Sequence, residues 1–318
     1  MNHRPDLIVP RYHPDSSADP ASAQTSTPNW SESARPPALT LGLFSCKGGV
    51  GTTFLTAQLG YVLAQARQRE VLLIDCVYPY GDLGVMLGES TSTGSLSDLL
   101  RNPGRIDGHL LDSVLGHPYP QLSVLTGCGL HGLPREDVQR GFCRVLELAR
   151  TRFPVIVLDC GRQPEPASLS LLQQADYLIP VLQPTLPMLR DARQLLVSLR
   201  SQGVSRERIV PVLNCPRWGS AALVQALEQA LGCTLMHRIP ECGDLVRGSV
   251  MTGVPIPHLF PRHRVSQSIS RLGQILMGEE QNPTRKPTRF WWRWRRSGKS
   301  LAESALAKVI PTAVRLQG

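Results

Sequence analysis

Short apolar runs alternate with amphipathic stretches along most of the chain. The runs that predict buried strands are Leu39–Phe44, Val71–Asp75, Leu122–Leu125, Val155–Asp159, Tyr177–Leu182, Ile209–Asn214 and Leu235–Ile239. Helical spacing predicts helices over Phe54–Gln68, Ser95–Arg101, Ile106–Leu115, Arg135–Arg152, Leu189–Ser201, Ala221–Leu231, Gly243–Met251 and Val265–Met277. Because strands alternate with helices instead of hairpin turns, the pattern predicts an α/β fold with a mostly parallel sheet and helices on both faces. Ligands bind such sheets at the carboxyl ends of the strands.

A glycine-rich segment connects the first predicted strand to the first predicted helix. It reads Ser-Cys-Lys-Gly-Gly-Val-Gly-Thr-Thr over residues 45–53. Glycines allow the backbone to curl so that successive N–H groups point inward, and the helix N-terminus adds the positive end of its dipole. Strand, glycine turn and helix in this order predict a phosphate-binding loop.

The segment departs from the ordinary Walker A pattern in two ways. A lysine stands early, at Lys47, and Thr52 occupies the usual lysine position. Over about Leu39 to Gly278 the chain resembles the MinD/ParA family of P-loop ATPases, which carries this deviant Walker A box. The resemblance implies ATP and Mg²⁺ as cofactors, a homodimer that forms on ATP, and contact of Lys47 with the phosphates of the partner subunit. The implied nucleotide-binding residues of the loop are Lys47, Gly48, Gly49, Val50, Gly51, Thr52 and Thr53, with Thr53 also holding Mg²⁺.

Two predicted strands end in an aspartate beside this loop. Asp159 resembles a Walker B aspartate, and a carboxylate there suits the hydration shell of Mg²⁺; a helix cap or turn former is the alternative. Asp75 stands where the family begins its switch region, which implies a catalytic role together with Lys47. The second switch carboxylate is replaced by Val77, which accepts no hydrogen bond. Asp82 is the nearest carboxylate that could approach, with a solvated turn as the favoured interpretation.

The substitutions at Thr52 and Val77 predict weak or absent hydrolysis. Removing one positioned electrostatic group typically costs about 10²–10³ in rate. Binding is expected to suffer less, because backbone N–H groups, Lys47 and magnesium still meet the phosphates.

Further family marks lie downstream. The segment Leu189–Ala192 resembles the region where the family places dimer and nucleotide contacts. Asn214 matches an asparagine that touches the adenine, and its amide carries both donor and acceptor; a cap at the strand end is the alternative. Pro240 matches the closing segment near the base.

The branch that the chain resembles most is the CpaE/TadZ-like group of pilus assembly and polar localisation. The resemblance rests on Gly81–Asp82, Ser95–Leu100 and Arg105–Asp107. It implies a protein that localises or assembles a cell-surface apparatus, such as a Flp/Tad-type pilus or a secretion system, with the machinery proteins as partners. Two alternatives stay open: a BcsQ-like scaffold of cellulose secretion, which also carries Gly-Val-Gly-Thr-Thr, and a plasmid-partitioning ATPase that binds DNA.

Composition divides the chain into three parts. Residues 1–38 are rich in proline and serine and predict a disordered leader, because such a stretch buries too little apolar surface to order itself. Residues 39–280 carry the alternating pattern and are predicted to form the ATPase-like domain. Residues 281–318 form a basic tail, in which seven basic residues and no acid lie between 281 and 302. Because neither a secretory signal nor an apolar run of about 18 residues is seen, we expect a cytoplasmic protein.

The tail contains Phe290–Arg296, in which tryptophan and arginine are mixed. Both side chains suit the lipid headgroup layer, and Leu301–Ile310 could extend the segment as a short amphipathic helix. Peripheral contact with the inner membrane, or docking to a protein at a cell pole, is therefore favoured. Nucleic-acid binding is less favoured, and a disordered tail without a partner is the remaining alternative.

Eight cysteines without an export signal favour free thiols over disulfides. Four of them, Cys46, Cys76, Cys160 and Cys215, fall at the ends of predicted strands, where we expect them to lie near one another. Packing as small buried residues is favoured over a redox or metal role.

Overall fold

The computed structural model describes residues 38–67, 69–77, 80–89, 94–127, 135–162, 166–214, 225, 227–229, 231–233 and 235–278. The predicted tail at 281–318 and all but the last residue of the predicted leader at 1–38 lie outside these ranges. Much of the predicted helix at 221–231 and Cys215 also lie outside them.

The strands of the described chain form one eight-stranded sheet. They are β1 Leu39–Ser45, β2 Val71–Asp75, β3 Gly116–Tyr119, β4 Leu122–Leu125, β5 Val155–Arg162, β6 Tyr177–Leu182, β7 Val212–Asn214 and β8 His237–Ile239. Their order is β3-β4-β2-β5-β1-β6-β7-β8. The pairing of β3 with β4 is antiparallel and the other pairings are parallel. The predicted α/β fold with a mostly parallel sheet is therefore confirmed.

Helices follow the strands in the predicted alternation. They are α1 Thr52–Arg67, α2 Leu96–Leu100, α3 Gly108–Ser113, α4 Arg135–Arg152, α5 Pro166–Gln174, α6 Leu186–Ser201, α7 Gly243–Thr252, α8 Ile256–Leu259 and α9 Arg264–Leu276. The sequence did not predict α5 or α8, because α8 is a single turn and the serines of α5 interrupt its apolar spacing. None of the helices in the described ranges is long and apolar enough to cross a bilayer.

The helices cover both faces of the sheet. A Cβ added to Gly60 of α1 would lie 2.4 Å from Cδ2 of Leu73, so α1 packs closely on that residue. Leu73 pairs with Val157, whereas Gly42 pairs with the next residue of β5 and so faces the other side. A Cβ at Gly42 would lie 2.5 Å from Cδ2 of Leu172, which places α5 on that second side. Helix α9 packs beside α1, and α4 beside α5.

Apolar strands buried on both sides explain why the sequence reads as nearly continuous runs. The first four residues of β2 (71–74) and the first four of β5 (155–158) are at most 1% exposed, as is typical of a parallel sheet covered on both faces. The parallel direction brings the carboxyl ends of β1, β2, β5 and β7 to one edge of the sheet, where polar residues follow the apolar runs.

We expect Gly60→Ala to destabilise the fold by about 1–3 kcal/mol, because the new methyl group would overlap the buried side chain of Leu73. The matched control is Gly248→Ala in α7, where nothing lies within 4 Å of the added Cβ. Because alanine has a higher helix propensity than glycine, Gly248→Ala should stabilise the protein by about 0.5–1 kcal/mol. Urea unfolding of both variants measures the difference, and shifts of equal sign and size would contradict this packing.

Candidate functional site

The glycine-rich segment forms a tight loop between β1 and α1. Gly49 and Gly51 have φ angles of +77° and +84°, a region that side chains other than glycine rarely adopt. Helix α1 begins at Thr52, two residues earlier than predicted. The first N–H groups of the helix have no partner within it, so they lie available directly after the loop.

Asn214 supports this loop from the end of β7. Its Nδ2 donates a hydrogen bond of 2.7 Å to the carbonyl oxygen of Val50, and its side chain is buried. A Cβ at Gly51 would lie 2.7 Å from the same Nδ2, so glycine is needed for this close approach. Pro240 follows Ile239, which pairs in register with Asn214. The two residues that the sequence assigned to the base therefore lie at the same edge of the sheet as the loop.

Asp75 and Asp159 end β2 and the apolar run of β5 as register partners, and both are fully buried. Oδ1 of Asp75 accepts the N–H of Val77 at 3.1 Å, and Oδ2 accepts the N–H of Leu83 at 3.0 Å. A Cβ at Gly81 would lie 2.1 Å from Oδ2, so the segment that follows β2 folds directly onto the carboxylate. Both oxygens of Asp75 are thus engaged by the backbone of the segment that follows β2.

Asp159 differs because only one of its oxygens is satisfied. Oδ1 accepts the N–H of Gly161 at 3.0 Å. Oδ2 is buried and has no hydrogen-bond partner within the described ranges, and the same holds for Oγ1 of Thr52. Buried polar atoms are nearly always paired. The Thr53 hydroxyl lies near Asp159 and lowers its pKa. This hydroxyl and the unpaired carboxylate oxygen are hard oxygen donors of the kind that fits Mg²⁺.

Burial makes both carboxyl groups costly to ionise. Burial, followed by the charge of Asp159, raises the pKa of Asp75 to about 8. Burial raises the pKa of Asp159 to about 6, against the lowering effect of the nearby Thr53 hydroxyl and the Gly161 N–H. The exposed Asp82 raises both pKa values, so this carboxylate does approach the pair.

The side chain of Lys47 forms an ion pair with a residue of α6. Its Nζ lies 2.5 Å from Oδ2 of Asp191 in α6. Oδ1 of Asp191 binds Nε of Arg190 at 2.7 Å. Hydrogen bonds from Arg190 and Lys47 hold the pKa of Asp191 below its usual value. The sequence singled out the segment that contains Asp191 but not this contact, because a pairing of residues 47 and 191 leaves no local pattern.

Arg162 is a basic residue at the loop that the sequence did not identify. Strand β5 continues three residues beyond Asp159 and ends at Arg162. A Cβ at Gly48 would lie 3.3 Å from Cδ of Arg162. The local signal was a basic residue shortly after a strand that ends in aspartate.

The cysteines at the strand ends are small packed residues. Cys46, Cys76 and Cys160 are buried and free. Burial raises the pKa of the Cys46 thiol to about 11 and also raises that of Cys76, which contacts Cys160. Thiols with raised pKa values are poor nucleophiles and poor metal ligands. Within the described ranges no three His, Cys, Asp or Glu side chains form a metal cluster.

Known proteins resemble the chain in sequence and in fold. The chain is 24% identical over 242 residues to an uncharacterized ATP-binding protein of Methanocaldococcus jannaschii. The alignment covers 76% of this chain and 88% of that protein. It is 26% identical over 250 residues to the septum site-determining protein MinD of Thermotoga maritima. That alignment covers 74% of this chain and 86% of the MinD protein. A ParA family ATPase from Chlorobium tepidum superposes with a TM-score of 0.66 at 26% identity, over 74% of this chain and 98% of that structure. No protein-family model matches the chain. The fold is that of the MinD/ParA ATPases, and these likenesses support a MinD/ParA-type P-loop protein.

We expect the free energy of unfolding without Mg²⁺ to fall as the pH rises from 5 to 8. The folded-state pKa values of Asp75 and Asp159 lie above that of an ordinary aspartate, so the folded protein binds more protons than the unfolded chain in this interval. Asp159→Asn should flatten the slope, because it removes one of the two groups. Urea unfolding across this pH range measures the slope of the free energy of unfolding against pH, and Asp112→Asn, at an exposed position, is the control. An unchanged slope in Asp159→Asn would contradict the assignment.

Proposed function

We propose that the protein binds Mg²⁺-ATP in the loop between β1 and α1 and acts as a nucleotide-gated dimer that positions a cellular structure. The observation that carries this proposal is the buried, unpaired Oδ2 of Asp159 next to the loop. A buried carboxylate oxygen without a hydrogen-bond partner is costly, and a divalent cation bound with phosphate would remove that cost. The ATP-binding relative and the MinD and ParA relatives support the choice of ligand.

Each predicted site residue has a proposed role in the bound state. Thr53 and Asp159 would hold Mg²⁺, which neutralises charge on the phosphates. Asn214 and Pro240 would flank the base, and Asn214 additionally fixes the loop through the carbonyl of Val50. The loop residues 48–53 would bind the phosphates through their backbone N–H groups, whose inward orientation the glycine φ angles permit.

We propose that the ion pair between Lys47 and Asp191 is the gate: it holds Lys47 until nucleotide phosphate competes with Asp191 for the lysine. The Lys47 side chain is 41% exposed and that of Asp191 is 18% exposed, so an anionic ligand can compete for the lysine. Phosphate would draw Lys47 away from α6, and the family resemblance directs it to the nucleotide of the partner subunit. Leu186, at the start of α6, is an apolar side chain that is 68% exposed. We assign it to the surface that a second copy would cover.

Slow or absent hydrolysis is part of the proposal. Thr52 is buried and neutral where the Walker A lysine would stand, and Val77 packs against Gly161. Both oxygens of Asp75, the candidate catalytic carboxylate, already accept backbone N–H groups. None of these three residues presents a free charged group to orient a water molecule.

We propose a cell-surface apparatus, such as a Flp/Tad-type pilus or a secretion system, as the structure that is positioned, with the protein in the cytoplasm and in peripheral contact with the inner membrane or a cell pole. The support is the CpaE/TadZ-like sequence segments. Part of these segments also has a local structural reason, since Ser95 and Asp98 form a capping box and Asp107 caps α3. Partitioning of DNA is the alternative, and salt-sensitive DNA binding that requires ATP would favour it.

We expect the wild-type protein to bind Mg²⁺-ATP and to become a dimer when it does. Lys47→Ala should bind the nucleotide but stay monomeric, because its lysine is assigned to the partner's phosphates. Calorimetric titration measures binding, and light scattering after size exclusion measures the dimer. Arg144→Ala, an exposed site on α4, is the control. Absence of ATP binding in the presence of magnesium would overturn the proposed function.

Breaking the ion pair between Lys47 and Asp191 should strengthen nucleotide binding. We expect Asp191→Asn to tighten ATP binding about two- to fivefold, the scale of an exposed ion pair. Arg190→Ala removes the other partner of the same carboxylate and leaves Asp191 to Lys47 alone, so it should give no increase. Calorimetric titration of both variants tests the gate, and equal affinities in the two variants would contradict it.

A further inference from the structure

Arg162 places a guanidinium group directly beside the phosphate-binding loop. The position of a Cβ on Gly48 lies 3.3 Å from Cδ and 3.5 Å from Nη1 of Arg162. The side chain is exposed. Within the described part of the chain it shows no ion pair with an aspartate or glutamate, so its donors stand available at the outer end of the loop.

An irregularity of β5 brings the side chain to this position. Leu43 pairs with Asp159, but Ser45 pairs with Arg162, so two steps along β1 correspond to three along β5. The extra residue forms a bulge, and bulges commonly redirect a side chain next to a functional site. Gly161 within it has a φ angle of +56°. The bulge thus lets one strand present both the buried carboxylate of Asp159 and, three residues later, a cation over Gly48.

The loop lacks the cation that a P-loop normally carries. Thr52 is neutral at the usual lysine position, and Lys47 is paired with Asp191 in this structure. An arginine suits the vacant role, because its planar guanidinium donates two parallel hydrogen bonds to phosphate oxygens and stays charged at all relevant pH values. Arg162 reaches the loop from the same subunit, whereas the resemblance assigns Lys47 to the partner subunit.

We propose that Arg162 binds the phosphate chain of the nucleotide in its own subunit and supplies the positive charge that the loop lacks at Thr52. This proposal rests on the proposed function, in which the loop binds Mg²⁺-ATP. It adds a residue of β5 to the phosphate site. The bulge at Gly161 would then serve to position Arg162 at the phosphates.

The test is calorimetric titration of Mg²⁺-ATP into Arg162→Ala and Arg162→Lys. We expect Arg162→Ala to weaken ATP binding about tenfold to hundredfold, the scale of charge-assisted hydrogen bonds. Arg162→Lys should lose less, because the charge remains. The thermal unfolding midpoint without nucleotide should not change in either variant, since the side chain is exposed. Arg144→Ala, exposed on α4, is the matched arginine control and should bind ATP as the wild type does.

A second substitution separates a phosphate contact from a packing role. Adding Thr52→Lys to the Arg162→Ala variant should restore ATP affinity, because it returns a cation to the loop. If Arg162→Gln binds ATP as tightly as the wild type, the charge is irrelevant and the proposal is wrong. If the wild type binds ATP and Arg162→Ala binds it equally, this proposal falls while the proposed function stands. If the wild type itself does not bind, both fall together.

Discussion

A buried carboxylate with one oxygen left unpaired governs the arrangement of this site. Asp159 lies fully buried at the end of an apolar strand, with Asp75 as its register partner. Two carboxyl groups in such a place resist ionisation, and a lone charge there would cost several kcal/mol. Asp75 is relieved by two backbone N–H groups, but Oδ2 of Asp159 has no hydrogen-bond partner among the described residues. The fold therefore holds a position that a cation would stabilise.

Glycines at close approaches connect this carboxylate pair to the rest of the site. Gly51 allows the loop to lie against the amide of Asn214, and Gly81 allows the segment that follows β2 to lie against Asp75. Side chains at either position would collide with a polar group of the site. The loop and the segment that follows β2 are therefore both packed directly against polar side chains at this edge of the sheet.

Much of the fold could be predicted from the sequence, because strands buried on both faces of a parallel sheet have nearly continuous apolar sequences. β2 and β6 were predicted with the bounds that the structure has, and the position of Asp159 followed from its place at the end of such a run. β3 was missed because Gly116–Tyr119 contains a proline and a histidine and no apolar run. Elements whose stability comes from tertiary packing have no such local record.

The site was predictable only as far as strand ends determine it. Parallel strands bring Thr53 and Asp159 together by topology alone, which sequence order reveals. The ion pair of Lys47 with Asp191 and the contact of Arg162 with Gly48 depend on side chains distant in sequence. The second contact also depends on a bulge, which shifts register by one residue and leaves no trace in hydrophobic periodicity.

The most direct measurement is a crystal structure of the full chain with Mg²⁺ and a non-hydrolysable ATP analogue. We expect the triphosphate along residues 48–53, with the cation and its water shell against Oδ2 of Asp159 and with Lys47 released from Asp191. Nucleotide bound elsewhere, or bound with Oδ2 of Asp159 still unpaired, would contradict it.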